Sequence, residues 1–176
     1  MVDGGQLNRL EEMVFLGEIV NQAEYAERAA ERLQATYDDF DPVEIWGAIQ
    51  SILVAAGNVS KILWPSRKRS FSRGQSLRLV LAVDDGNPLS NRNLRNHFEH
   101  YGERIEDWFE KNSSAVYSDS SIDPFGSPLG QKAGNSHRAY DPLTQTLTFR
   151  GESTDLAAII RALHEIRISC RNFVLP

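Results

Sequence analysis

Residues 42–63, PVEIWGAIQSILVAAGNVSKIL, place apolar side chains around nearly the whole circumference of a helix. Such a segment has almost no face to turn to water, so it needs neighbours on several sides. The most apolar stretch, Ile45 to Trp64, is interrupted by Gln50, Ser51, Asn58, Ser60 and Lys61. That marks the buried helix of a bundle rather than a membrane span. Its ends are set locally. Asp41 can cap the N-terminus, Pro42 suits the first turn, and Glu44 completes a capping-box pattern. Trp64-Pro65 stops it.

The rest of the chain offers cover for this helix. Residues 6–37 form one long helical pattern, with Met13, Leu16, Val20, Ala23, Ala26, Ala30, Leu33 and Tyr37 at three- and four-residue steps. Ser72 and Gln75 suit the start of a short third helix through LRLVLAV. Asn87-Pro88 opens a fourth, over 88–112, whose core stripe is Leu94, Phe98, Tyr101, Ile105 and Trp108. Residues 113–137 turn to Ser, Gly, Pro and Asp and are expected to be a surface excursion. Residues 138–150 are expected to form a β-hairpin, with Arg138–Tyr140 and Thr146–Arg150 flanking the turn DPLTQ. Ser153 or Thr154 caps a last helix with the stripe Leu156, Ile159, Ile160, Leu163, Ile166 and Cys170. The expected fold is all-α: an antiparallel four- to five-helix bundle with one small hairpin before the last helix, as a single domain over 1–176.

Charge is unevenly spread. The net charge is −5, yet no acidic residue lies between Glu44 and Asp84. That window holds Lys61, Arg67, Lys68, Arg69, Arg73 and Arg78. Arg67, Lys68, Arg69 and Arg73 form a basic connection that can grip phosphates, or can pair with the acidic first helix of a neighbour. The single cysteine, Cys170, excludes an internal disulfide, and the N-terminus shows no secretory pattern. The expectation is a cytoplasmic protein with no membrane segment.

The stretch NRNLRNHFEHYGERIEDW (91–108) holds Arg-Asn-x-x-x-His twice, at Arg92…His97 and Arg95…His100. An arginine five to seven residues before a histidine is expected about once by chance in such a chain, but the added Asn makes the pattern rarer. On a helix, positions five apart differ by about 140°. The long arginine side chain can still swing toward the imidazole. Together they would present a fixed cation and a titratable ring to one phosphodiester, the two functions that metal-independent RNA cleavage needs.

RNHFEH, on a late helix of an all-α bundle, resembles the R-x(4–6)-H motif of HEPN domains, in which Asn, Asp or His commonly follows the Arg. The resemblance covers the motif closely, the bundle loosely, and the hairpin and excursion not at all. It implies Arg95 as the phosphate holder, Asn96 as its hydrogen-bonding support and His100 as the acid–base group. Arg92 and His97 are the supporting or alternative register. Many HEPN proteins are metal-independent endoribonucleases of toxin–antitoxin and other defence systems, usually as dimers with two motifs in one cleft. Others have lost catalysis and bind.

Glu99, Glu103, Glu106 and Asp107 crowd the same segment and repel phosphate. The favoured expectation is therefore a homodimeric binding or accessory protein of a bacterial defence context, with weak or no catalysis. RNA and an inhibitory protein are its implied partners. The alternative is a metal-independent endoribonuclease using Arg95 and His100 across a dimer cleft. The third is an unrelated structural or metal-binding helical protein, for which His97, His100 and Glu103 are the candidate ligands. No metal or cofactor is expected in the first two. His164 is expected to be a satisfied, partly buried histidine, and His137 a surface one.

Overall fold

The computed structural model describes residues 7–91, 100–112, 117–122, 137–171 and 173. Helix α1 spans Arg9–Ala35 and α2 spans Pro42–Leu63. Asn8 and Glu11 make a reciprocal capping box on α1, and Asp41 accepts from the Val43 and Glu44 amides to cap α2. Glu44 does not reach back to complete a box. It pairs with Arg32 at 3.0 Å, fastening the end of α1 to the start of α2. Asn58 donates to Gln22 further along, so the two helices run antiparallel.

Their contact is lined by small residues. Ala23, Ala26 and Ala29 of α1 and Ala48, Ala55 and Ala56 of α2 are all buried, which lets the two backbones approach closely. Helix α2 buries ten of its residues, yet Val43 and Val54 remain exposed. Its open strip is narrower than a typical amphipathic helix shows, but it exists.

Helix α3 spans Phe71–Leu81, after a 3-10 turn at Lys68–Ser70. It starts at Phe71, before Ser72, and no side chain caps it. Gly74 lets α3 cross the end of α2. A Cβ there would sit 2.5 Å from Pro65 Cδ and 2.6 Å from the Leu63 carbonyl oxygen. Helix α4 spans Tyr101–Lys111 and α5 spans Leu156–Cys170.

The all-α expectation is overturned. Among the described residues there are five α-helices and a four-stranded mixed sheet, and the sheet shares the core with α1, α2, α3 and α5, so the class is α+β. Strands β1 (Ser121–Ile122), β2 (Arg138–Asp141), β3 (Thr146–Phe149) and β4 (Glu152–Asp155) lie in sequence order. The β1–β2 pair is parallel and the other two are antiparallel. Tyr140, Leu147 and Phe149 enter the same core as the helices. A lone hairpin is marginal in water; the two extra strands and this core contact supply what it lacks.

Strand β4, Glu-Ser-Thr-Asp, has no apolar alternation, so composition does not mark it as a strand. It is set by the two-residue turn Arg150-Gly151, with φ +47° and +86°, which returns the chain directly onto β3. With Ser153 and Thr154 in the strand, the cap of α5 falls to Asp155, which accepts from the Ala158 amide at 2.9 Å.

The single helix expected over 88–112 is also corrected. Pro88–Ser90 is a 3-10 turn held by the Asn87 side chain, and Asn91 is extended (φ −69°, ψ 112°). His100 caps α4 with non-helical φ −113° and ψ 35°. Asn87 therefore opens one turn and not a long helix.

Gly74→Ala should lower stability by about 2 kcal/mol through overpacking. Gly47→Ala, in an open stretch of α2 with nothing within 4 Å of an added Cβ, should be neutral or slightly stabilising. Urea unfolding midpoints of the two variants would show the contrast, and equal midpoints would contradict the close crossing.

Candidate functional site

Of the arginine–histidine motif, Arg92, Arg95, Asn96 and His97 lie outside the described residues. So do Leu94 and Phe98 of the expected core stripe. His100 is described. It is exposed, stands at the cap of α4 rather than within a helix, and its Nδ1 pairs with Glu103 Oε2 at 2.6 Å. Glu106, Asp107 and Glu110 are exposed along the same helix. The imidazole thus faces a carboxylate on an acidic helix.

Tyr101, one residue on, belongs to a half-buried network. The Arg138 guanidinium forks onto Asp119, with Nε to Oδ1 at 2.8 Å, and also donates to Ser120 Oγ at 2.9 Å. Tyr101 donates to Asp119 at 2.8 Å. The cation lies 4.6 Å from the Tyr101 ring centre and 5.2 Å from that of Trp46. Trp46 in turn donates to the Ser120 carbonyl at 2.9 Å. His137, expected at the surface, is buried and meets Tyr101 edge-on at 5.1 Å. The network fastens α2, α4 and the β1–β2 edge together.

Burial alone would raise the Asp119 pKa. The hydrogen bonds from Arg138 and Tyr101 and the arginine's charge outweigh it and hold the carboxyl at about 2. Tyr101 is pushed well above the ordinary phenol range, first by burial and then by its bonds to Asp119 and Tyr117. The shifts favour the charged Asp119 and the neutral Tyr101, the forms in which their hydrogen bonds fasten the network.

The basic connection divides in two. Arg73 turns inward, donating to the Lys61 and Ile62 carbonyls at 3.2 and 3.3 Å, with its guanidinium 4.5 Å from the Phe15 ring centre. Burial lowers its pKa. Arg78 donates to the Leu63 carbonyl and pairs with Asp85 at 3.4 Å. Both arginines satisfy the open carbonyls at the C-terminus of α2 and complement its dipole. Arg67, Lys68 and Arg69 instead point to solvent on the 3-10 turn, beside the exposed Phe71. Among the described residues, no carboxylate pairs with these three cations.

A groove of about 580 Å³ runs between α1 and α5, and sequence reasoning did not find it. Its lining includes Glu31, Tyr37, Arg161 and His164. The His164 ring is half-exposed rather than sheltered, and its Nδ1 meets Glu27 Oε1 at 2.8 Å. The same carboxylate accepts from Arg167 at 2.9 Å. The signal was present at the level of spacing: Arg161 and His164 lie three apart, on one face of the last helix.

Among the described residues, no three His, Cys, Asp or Glu side chains gather to hold a metal ion, and no helix is long and apolar enough to cross a membrane. No protein-family model, curated protein or solved structure matches this chain.

Replacing Arg138 by Met should cost on the order of 2 kcal/mol at pH 7, because it strands a half-buried carboxylate. The wild-type Asp119 pKa is depressed, so its contribution is complete above about pH 4 and lost as pH falls toward about 2. In the variant Asp119 protonates first, so the stability gap should narrow between pH 7 and pH 3. Thermal unfolding at the two pH values measures it; a gap that does not change with pH would separate Asp119 from Arg138.

Proposed function

We propose that this protein is an RNA-binding or accessory module with weak or no catalysis, working as a homodimer in the cytoplasm. The observation that carries this reading is the basic turn. Three consecutive cations, Arg67, Lys68 and Arg69, are exposed, and no carboxylate of the described residues neutralises them. The aromatic face of Phe71 stands next to them, half-exposed. Cations that follow a phosphate backbone, with an aromatic ring for a base to stack on, suit single-stranded RNA.

The resemblance of Arg95–His100 to the HEPN motif supports the same class, since members that have lost catalysis serve as binding or accessory domains. The Glu103 contact on His100 supports binding over cleavage, because a phosphodiester would have to displace a carboxylate 2.6 Å from the ring. The dimer and an inhibitory protein partner are what the resemblance implies for such a module. Cys170 suits a reducing compartment: it is buried, and burial raises its thiol pKa to about 11, so it is not poised for redox chemistry.

The test is RNA binding by fluorescence anisotropy across a salt series, for the wild type and for a triple Arg67→Ala, Lys68→Ala, Arg69→Ala variant. Losing three phosphate contacts on a single strand should reduce the slope of log K against log salt by about two. An unchanged slope and affinity would remove the basic turn from the reading. RNA cleavage that survives EDTA and vanishes in His100→Ala would instead establish the endoribonuclease alternative.

A further inference from the structure

The groove between α1 and α5 carries chemistry that the basic turn does not use. Its floor is apolar, with Leu33 and Ile160 among the lining residues, and its two walls differ in charge. The α5 wall presents Arg161 and His164; the α1 wall presents Glu31. Glu27 also lines the groove, but its carboxylate is engaged by His164 and Arg167. Because Glu27 accepts from Nδ1 of His164, Nε2 is the ring nitrogen left for a ligand.

Glu31 and Arg161 bear opposite charges in the same groove, yet no described residue forms an ion pair with either. A ligand that matches has an anionic end for Arg161 and His164, a flat body for the floor, and hydrogen-bond donors for Glu31. The groove volume, about 580 Å³, lies within the range of small-molecule sites.

We propose that this groove binds a nucleoside monophosphate, with the phosphate on Arg161 and His164 and the base on the Glu31 side. A guanine base fits best, because its ring N–H and amino group are adjacent donors that one carboxylate can accept together. Tyr37, whose hydroxyl accepts from Gln145 at 3.1 Å, also lines the groove. The inference is independent of the basic turn.

Isothermal titration calorimetry of the full chain with guanosine monophosphate, adenosine monophosphate, guanosine and inorganic phosphate tests it. The expected result is saturable binding of guanosine monophosphate, tighter than the other three. Arg161→Ala should weaken it about tenfold while leaving guanosine unaffected. Glu31→Gln should erase the preference over adenosine monophosphate. Both residues are exposed, so neither variant endangers the fold.

No heat with guanosine monophosphate at millimolar concentration would overturn the proposal. So would inorganic phosphate binding as tightly, or Arg161→Ala binding as well as wild type. Loss of binding in the Arg67/Lys68/Arg69 triple variant alone would place the phosphate on the basic turn. That outcome would overturn this site and leave the RNA reading standing.

Discussion

Helix α2 has to be covered, and the rest of the molecule is arranged around that requirement. Ten of its residues are buried, in a core that also takes in parts of α1, α3, α5 and the sheet. Helix α1 closes against it through facing alanines, where small side chains convert backbone proximity into dispersion contact. Helices α3 and α5 also pack on it, and three large side chains of the sheet, Tyr140, Leu147 and Phe149, join the same core. Around Val43 and Val54 a strip stays exposed among the described residues.

Arginine serves this protein in two opposite ways. Arg73, Arg78, Arg138 and Arg167 are turned inward, each meeting carbonyls, carboxylates or an aromatic face that fix its guanidinium. They close the end of α2, join the sheet edge to α4, and brace α5 on α1. Arg67, Arg69 and Arg161 stay exposed. A count of basic residues along the chain does not separate these groups, because the separation depends on which acceptors the fold brings within about 3 Å. Arg73 belongs to the basic window by position and to the core by contact.

Legibility followed the range of the interaction that decides each element. Asp41-Pro42 at one end and Trp64-Pro65 at the other mark the limits of α2, because caps and proline act within a turn. The turn at Asp141–Gln145 is local in the same sense, with Asp141 accepting from the Leu143 amide. Strand β4 was not legible as a strand, since its polar residues become one only by pairing with β3. The two-residue Arg150-Gly151 turn was the signal that could have shown it. Asn87-Pro88 is a genuine start signal, but it opens only a 3-10 turn, because Asn91 is drawn out of helical geometry. His137 looked like a surface histidine until Tyr101 and the β1–β2 edge closed over it.

The chain by itself determined what nearest neighbours can determine: a helix that must be buried, another that can cover it, the caps of both, the proline stops, and a basic run free of acid. These follow from periodicity and from contacts within about four residues. Only the tertiary structure decided the α+β class, the division of arginines between inside and outside, and the groove where Arg161 and His164 face Glu31. Each of these depends on groups far apart in the chain or on backbone pairing, which carry no local signature.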